Sequence, residues 1–229
     1  MNICIIPARG GSKRIPKKNI KDFYGKPIIE WTIQAIIKSN IFDKIILSSD
    51  DKEIIKIAKK LGVEAPFIRP KNISDDKSTT NQVMQHASTW LNNNNYIIEN
   101  ICCVYPTSPM LNPEDLIKAN KEIKKNKWDY VFSAYESTIP FQRSFKKNIE
   151  GGVQMYFPKN FAIRTQDLPS TLLDAGQFYF GTKNAWENCK EIFSKKSHPL
   201  LIPESRVQDI DVDSDWINAE KKFQTFFNI

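Results

Sequence analysis

Short apolar segments alternate with amphipathic segments along most of this 229-residue chain. We predict strands at NICII, KIILSSD and ICCVY, because short apolar runs between turn signals are typical of buried strands. The segments between them, such as PIIEWTIQAIIKSN, repeat their apolar residues with helical spacing. Strands that alternate with helices favour a mostly parallel sheet covered by helices on both faces. The pattern therefore predicts an α/β fold, and the length suits a single domain over residues 1–229.

The same reasoning predicts the remaining elements. Gly62 ends the helix DKEIIKIAKKLG, since glycine readily adopts the left-handed conformation that closes many helices. Ser78 caps the helix that follows it, and Asn112 caps the helix NPEDLIKANKEIKK, where Pro113 is the first helical residue. Further strands are predicted at PFIRP, DYVFSAYE, GQFYFG and HPLLIP, and further helices at NAWENCKEIF and SDWINAEKKFQTFF.

The alternation of strands and helices breaks between about residues 137 and 180. The sequence STIPFQRSFKKNIEGGVQMYF is typical of a hairpin that turns at its Gly-Gly pair. It has more aromatic residues than an exposed hairpin normally carries, namely Phe141, Phe145, Tyr156 and Phe157. We predict an inserted arm that packs on a second subunit. The alternatives are that these residues fold back onto the core of the same chain, or that they stack on single-stranded RNA.

Most of the net charge of +7 lies near the N-terminus. Residues 1–26 contain seven lysines or arginines and one aspartate, whereas the rest of the chain is nearly neutral. A protein that binds duplex nucleic acid usually spreads its positive charge along a face that follows many phosphates. The segment from Arg9 to Lys21, here called the basic loop, therefore suits a small polyanion better than a nucleic acid.

Several other classes of protein find little support. No apolar run reaches the roughly 18 residues of a membrane helix, and the first residues lack a signal peptide's long apolar region. The four cysteines include no C-x-x-C pair, and there are only two histidines. We therefore expect neither disulfides nor a zinc site. The sequence predicts a cytoplasmic protein with no membrane or nucleic-acid partner.

The basic loop follows the first predicted strand, and open α/β sheets bind ligands beyond the carboxyl ends of their strands. Gly10 and Gly11 would let backbone N–H groups approach phosphate oxygens, while Arg9, Lys13 and Lys18 supply positive charge. The spacing matches neither the P-loop nor the dinucleotide-binding fingerprint. The loop is therefore either a phosphate site of another kind or an ordinary solvated basic loop.

A second cluster of charge is the sequence QDIDVDSD. In an extended segment Asp209 and Asp211 project to the same side, where two carboxylates can hold Mg²⁺ while phosphate oxygens complete its shell. Asp213 and Asp215 are predicted to cap the helix that follows and to favour its dipole. The alternative for the first pair is the same capping role.

Four motifs in order resemble one enzyme family. They are IIPARGGSKRIPKKNI, Arg69 and Pro70 followed by ISDDKSTT, then YPTSP, and finally DIDVDSD. The order is that of the cytidylyltransferases that make CMP-activated nonulosonic (sialic-type) acids, and the resemblance extends from residue 1 to about residue 220. It implies a Rossmann-like nucleotidyltransferase fold, a homodimer, and an arm that reaches the neighbouring subunit. It also implies that the chain is an enzyme that uses CTP, a nonulosonic acid and Mg²⁺.

The resemblance further implies roles for individual residues. Those expected to bind nucleotide are Ala8, Arg9, Gly10, Gly11, Ser12, Lys13, Lys18, Asn19, Arg69, Ser78 and Thr79. Those expected to bind the sugar acid are Tyr105, Arg164, Gln166, Asp174, Gln177 and Tyr179, of which Arg164 and Gln166 would serve the site of the other subunit. Asp209 and Asp211 would hold Mg²⁺, and catalysis would depend on them together with Arg9 and Lys18.

Two positions depart from the N-acetylneuraminate enzymes of this family. Those enzymes usually have Gln where this chain has Tyr105, and Asn-Gly where it has Asp174 and Ala175. Both differences resemble the branch that activates pseudaminic acid, whose less polar edge would suit a wall of Tyr105, Phe178 and Tyr179. Strand alternation leaves open whether Phe178 belongs to the core instead.

The implied reaction is transfer of CMP from CTP to the anomeric hydroxyl of the sugar acid, with release of pyrophosphate. Legionaminic, N-acetylneuraminic or 3-deoxy-octulosonic acid are alternative acceptors. From another class of enzyme, a nucleotide-sugar-dependent glycosyltransferase would also use paired aspartates on an α/β fold.

Overall fold

The computed structural model describes residues 1–229. The strands are β1 (Asn2–Pro7), β2 (Asp22–Phe23), β3 (Lys26–Pro27), β4 (Lys44–Ser48), β5 (Asn100–Val104), β6 (Tyr130–Ser137), β7 (Phe145–Lys147), β8 (Val153–Met155), β9 (Thr171–Thr182) and β10 (Ser197–Leu201). The helices are α1 (Ile28–Ser39), α2 (Lys52–Lys60), α3 (Thr80–Asn93), α4 (Pro113–Ile123), α5 (Lys183–Glu187) and α6 (Asp213–Phe227). None of the helices is both long and apolar enough to cross a membrane.

Six strands form the central sheet, in the order β10, β6, β9, β5, β1, β4. Neighbouring strands are parallel except at β9, which runs antiparallel to both β5 and β6. The prediction of a mostly parallel sheet is confirmed. Because β1, β4 and β5 run in the same direction, the loops that follow them meet at one edge of the sheet.

Helices cover both faces of the sheet, as predicted. In β1 the side chain of Ile5 packs in an apolar layer with Met84 of α3, whereas Ile6 packs in the opposite layer with Ile33 of α1. Alternation along a strand sends successive side chains to opposite faces, so both layers are built from the same short strands. A third cluster joins Ile15 of the basic loop to the closing helix α6 and anchors the loop there.

Several helix termini follow the predicted capping chemistry. Asn112 accepts the N–H of Glu114 at the start of α4, and Gly62 has a positive φ of 82° just after α2. The cap predicted for α3 is wrong by one residue. Thr79 is the cap and forms a reciprocal pair of hydrogen bonds with Gln82. The helix therefore begins one residue later than predicted, and Ser78 lies outside it.

Two predicted elements differ from the structure. The segment PFIRP forms no strand, because both its prolines lack the N–H that a strand needs for pairing. Its one hydrogen bond toward the sheet runs from the N–H of Arg69 to the carbonyl of Ser49, which lies just beyond the end of β4. The helix predicted at NAWENCKEIF ends already at Glu187. Cys189 then has a φ of 47°, a left-handed conformation that turns the chain away from the helix axis.

The segment between β6 and β9 contains the predicted hairpin, formed by β7 and β8 as an antiparallel pair. The aromatic side chains of this segment are exposed, as are Ile149, Val153 and Phe161. The alternative that they fold back onto the core of the same chain is therefore wrong. An exposed group of this size is typical of a surface that contacts another molecule.

Candidate active site

The basic loop leaves the carboxyl end of β1 and lines a cleft of about 520 Å³, here called the basic cleft. The residues that line it are Pro7, Arg9, Ser12, Lys13, Arg14, Lys18, Asn19, Asp76, Tyr105, Pro106, Thr107 and Asp211. Five residues expected to contact a triphosphate thus share one cleft with one of the two aspartates expected to hold Mg²⁺. Apart from Asp76 and Asp211, the lining residues lie at the end of β1 or follow β1 and β5, so the sheet sets where these two segments meet.

The first turn of the basic loop is held by the loop that follows β4. Ala8 is buried, and its N–H donates to the carbonyl of Ser48 at 2.9 Å. The N–H of Gly10 donates to Oδ1 of Asp50 at 3.0 Å. This N–H is therefore not free to meet a phosphate, in contrast to the expectation from sequence. A Cβ at Gly11 would have no atom within 4 Å, so the backbone there is open to a ligand.

The second half of the basic loop returns to its own start. Asn19 is buried, and its amide nitrogen donates to the carbonyl of Arg9 at 2.9 Å. This bond ties the two ends of the loop together before any ligand binds. Such a closed loop holds its charged side chains in place, which lowers the entropy lost when an anion is bound.

The four cations of the basic cleft are held by two carboxylates. Arg9 and Lys13 each contact Asp76 at 2.5 Å, one on each carboxylate oxygen. Arg14 and Lys18 contact the two oxygens of Asp211, at 2.9 and 3.5 Å. The cleft thus keeps two positive charges in excess. Asp76 lies in the motif ISDDKSTT and Arg14 in the basic loop, but neither was assigned a role, because the contact of Asp76 with Arg9 joins residues 67 positions apart in the chain.

A smaller pocket of about 190 Å³ opens beside the basic cleft and includes Arg69, Ser78 and Thr80 in its lining. Arg69 is 4% exposed, and its Nε and Nη2 atoms have no hydrogen-bond partner. Burial lowers the pKa of this guanidinium from its usual range, and nearby Asp50 partly opposes the shift. A buried cation with free donors is costly unless a ligand supplies acceptors. Thr79 does not line this pocket, since its hydroxyl caps α3.

A second pocket of about 560 Å³ adjoins the basic cleft, and both are lined by Tyr105 and Asp211. We call it the adjoining pocket. Its lining residues are Tyr105, Tyr135, Asp174, Ala175, Gly176, Tyr179, Val207, Gln208, Asp209, Asp211, Asp215 and Lys222. Three residues expected to bind the sugar are therefore brought together here, while Tyr135 and Lys222 were not predicted.

Two tyrosines of the adjoining pocket, Tyr105 and Tyr179, are fixed by hydrogen bonds. The hydroxyl of Tyr179 donates to Oδ2 of Asp174 at 2.6 Å, and those of Tyr105 and Thr80 lie 2.5 Å apart. Burial raises the pKa of Tyr105 to about 12 and also raises the pKa of Tyr179. Both phenols therefore stay protonated at neutral pH and can act as hydrogen-bond donors.

A bulge in β9 brings Asp174 and Tyr179 to the same side. On β6, Ala134 pairs with Asp174 and Phe132 pairs with Tyr179, so five steps along β9 oppose two steps along β6. A regular strand would place residues five apart on opposite faces. Gly176 has a φ of 63°, a left-handed conformation within the bulge. The bulge therefore decides which side chains of β9 enter the pocket.

The segment that carries Asp209 and Asp211 belongs to no strand, and side chains from other parts of the chain hold its backbone. Gln177, Lys222 and Lys18 donate to the carbonyls of residues 206, 207 and 210, the first two at 2.7 and 2.5 Å. Gln177 is buried and lines neither pocket. Its amide therefore supports the aspartate segment instead of facing the adjoining pocket.

The aspartates themselves form a compact acidic group. Burial, followed by the nearby charge of Asp211, raises the pKa of Asp209, while Lys18 opposes the shift. Asp215 accepts the N–H of Asp211 at 2.9 Å and that of the next residue at 3.0 Å, so it serves the start of α6 as predicted. No group of three or more His, Cys, Asp or Glu side chains could hold a metal ion. A cation here would have two protein carboxylates.

Besides Gln177, three residues predicted for the sugar site lie outside the adjoining pocket. Arg164 and Gln166 are exposed residues of the segment between β8 and β9, and they line neither the cleft nor the adjoining pocket. Phe178 is fully buried in the core layer with Ile33, so the proposed aromatic wall of Tyr105, Phe178 and Tyr179 is wrong in its middle member. The bulge and the strand alternation turn Phe178 away from the pocket.

Comparison with known proteins identifies the family. The profile of the family described as Cytidylyltransferase matches residues 3–202. The chain is 46% identical over 214 residues to the pseudaminic acid cytidylyltransferase of Campylobacter jejuni, covering 93% of this chain and 92% of that protein. The chain belongs to the cytidylyltransferase family. The resemblance inferred from the four motifs is therefore confirmed, and the glycosyltransferase alternative is not supported.

The chain is also similar to more distant proteins. The N-acylneuraminate cytidylyltransferase A of Danio rerio is 35% identical over 97% of this chain, which matches 50% of that longer protein. The solved structure of CMP:2-keto-3-deoxy-manno-octonic acid synthetase complexed with CTP has a TM-score of 0.71, at 13% identity over 98% of both chains. At that identity the likeness shows the fold, which is that of a nucleotidyltransferase.

Proposed function

We propose that this cytidylyltransferase transfers CMP from CTP to the anomeric hydroxyl of pseudaminic acid. The anomeric oxygen forms a bond to the α-phosphorus, the bond to the β-phosphate breaks, pyrophosphate leaves, and the hydroxyl proton is released. The observation that carries the proposal is the juxtaposition of the basic cleft and the adjoining pocket at Tyr105 and Asp211. One pocket offers positive charge and the other offers polar and aromatic side chains, as two such substrates require.

The basic cleft suits the triphosphate. Arg9, Lys13 and Lys18 place positive charge around one space, and phosphoryl transfer depends mainly on positioning and on neutralising charge. Asn19 fixes the loop, and Ser12 adds a hydroxyl to the lining. Arg69 would supply its free donors to the cytosine or ribose in the neighbouring small pocket.

The donor set of the aspartate segment fits Mg²⁺. Mg²⁺ takes one or two carboxylates together with phosphate oxygens and waters, and Asp209 and Asp211 provide two carboxylates beside the basic cleft. The raised pKa of Asp209 reflects crowded negative charge that a cation would relieve. When bound, such an ion would help neutralise the phosphate charge. In this structure the carboxylate of Asp211 forms ion pairs with Arg14 and Lys18.

The adjoining pocket suits the sugar acid. Lys222 is the only cationic side chain of its lining, and the other lining residues are acidic or neutral. Lys222 uses one of its three N–H donors on the carbonyl of residue 207 and keeps the others for a carboxylate. Arg164 and Gln166 reach this pocket only if the arm of one subunit extends over the other, so their role is proposed together with a homodimer.

An assay of pyrophosphate release tests the proposal. The protein is mixed with CTP, Mg²⁺ and, in parallel, pseudaminic, legionaminic, N-acetylneuraminic or 3-deoxy-octulosonic acid. We expect the highest kcat/KM with pseudaminic acid, because Tyr105 presents a ring face and a single hydroxyl where the N-acetylneuraminate enzymes usually have an amide. A preference for another acid would overturn the substrate assignment. No pyrophosphate with any of them would overturn the proposed reaction.

A further inference from the structure

Asp76 is the one acidic residue of the basic cleft whose role the proposed function does not explain. It lies in the loop before α3, and its carboxylate spans two cations of the basic loop. Oδ1 contacts Nη1 of Arg9 and Oδ2 contacts Nζ of Lys13, both at 2.5 Å. These contacts hold the pKa of Asp76 below its usual range, so it is ionised at neutral pH.

The carboxylate of Asp76 has no other partner. The turns of its own loop are held by the neighbouring Asp75, which accepts hydrogen bonds from Lys77 and Ser78. Asp76 caps no helix and bonds no backbone group. Arg9 and Lys13 are themselves 35% and 81% exposed, so removal of the Asp76 carboxylate leaves no buried group unpaired. Its contacts with the two cations are therefore not required to build the loop.

A carboxylate and a phosphate bind such a pair of cations in the same way. Both present oxygens that accept charge-assisted hydrogen bonds from Arg and Lys. An anion that uses both Arg9 and Lys13 must therefore displace Asp76. Asp76 belongs to the same chain as Arg9 and Lys13, so after displacement it stays close to them and competes with the anion. The effective concentration of such an intramolecular competitor does not depend on dilution.

We propose that Asp76 competes with the β- and γ-phosphates for Arg9 and Lys13 and so weakens the binding of pyrophosphate. This inference rests on the proposed function. Pyrophosphate keeps the phosphate groups that these cations hold in CTP, and without a competitor the product would remain tightly bound. Asp76 thus sets how readily the product leaves. Arg14 and Lys18 are held by Asp211 and are not part of this exchange.

The test compares Asp76→Asn with a matched control, Glu53→Gln. Glu53 pairs with Lys17 of the same basic loop at 2.6 Å, and Lys17 does not line the cleft. Both substitutions remove one negative charge near the loop: D76N breaks the ion pairs with Arg9 and Lys13, and E53Q breaks the ion pair with Lys17. We expect the Kd of pyrophosphate, measured by calorimetry with Mg²⁺, to fall roughly three- to tenfold in D76N, since exposed ion pairs are individually weak. It should change much less in E53Q.

The outcomes separate this inference from the proposed function. If the wild-type protein binds neither CTP nor pyrophosphate, the proposed function and the inference both fail. If it binds both, but D76N and a second variant, Asp76→Ser, bind pyrophosphate no tighter than E53Q, only the inference is overturned. Tighter binding in D76N and D76S, with a matching fall in the pyrophosphate inhibition constant of turnover, supports the competition.

Discussion

The substitution Gly10→Ala tests how the basic loop is built. A Cβ at Gly10 would lie 2.6 Å from Oδ2 and 2.9 Å from Cβ of Asp51. The other oxygen of that carboxylate caps α2 by accepting the N–H groups of Glu53 and Ile54. The clash must therefore move either the cap or the loop.

The expected cost follows from those contacts. Loss of a helix cap costs about 0.5–2 kcal/mol. Loss of the hydrogen bond from Gly10 to Asp50 costs about 0.5–1.5 kcal/mol more. We expect the free energy of unfolding to fall by about 1–3.5 kcal/mol, the sum of the two costs, which for a chain of this length lowers Tm by roughly 2–4 °C per kcal/mol. The affinity for CTP should also fall, because the displaced loop carries Arg9.

Gly11→Ala is the matched control. It adds the same methyl group one residue later, where no atom lies within 4 Å and φ is not positive. We expect unchanged stability or a gain of about 0.4–1 kcal/mol, since alanine restricts the unfolded chain. Urea unfolding of both variants measures the difference. Equal stabilities for G10A and G11A would refute the reasoning.

A double-mutant cycle with Asp51→Ala identifies the cause. D51A alone removes the cap, so it should destabilise by about 0.5–2 kcal/mol. If G10A acts by displacing the same carboxylate, the double variant should lose less than the sum of the two single losses. Additive losses would mean that G10A damages the protein by another route.

Three further predictions concern catalysis, charge and assembly. Lys18→Ala should lower kcat/KM by roughly 10²–10³-fold, because it removes one preorganised charge contact. Lys17 does not line the cleft, so Lys17→Ala should leave kcat/KM nearly unchanged; steady-state pyrophosphate release measures both variants. Asp209→Asn should abolish Mg²⁺-dependent turnover yet raise the free energy of unfolding near pH 7 in chelator, because burial and Asp211 disfavour the charged form. That gain should shrink when urea unfolding is repeated as the pH falls from the raised pKa, where the folded wild-type carboxyl protonates, and it should vanish below the usual aspartate pKa. Phe161→Asp, at a side chain 71% exposed, should convert a dimer into monomers of 26.5 kDa in sedimentation, and a fully active wild-type monomer would contradict the proposed homodimer.

Local patterns in the sequence were sufficient for the class of fold and for the position of the basic cleft. Period-2 and helical spacings are set by backbone geometry, so they indicated most strands and helices without knowledge of their neighbours. The four motifs also indicated the family without knowledge of the tertiary structure, because the residues of each motif are contiguous in the chain. The limits of local reasoning appear at PFIRP and at α5, where prolines and a left-handed Cys189 overrode the apolar pattern.

The residues that complete the site were decided only by the tertiary structure. Asp76 meets Arg9 across 67 residues, and Lys222 reaches the adjoining pocket from the closing helix. Asp174 and Tyr179 share a face because β9 bulges against β6, and a period-2 reading of the strand places them apart. Side-chain pairing across long separations and local breaks in strand register both depend on how elements pack. Local patterns were therefore enough for most of the elements and for the charged loop, whereas packing decided which side chains face the substrates.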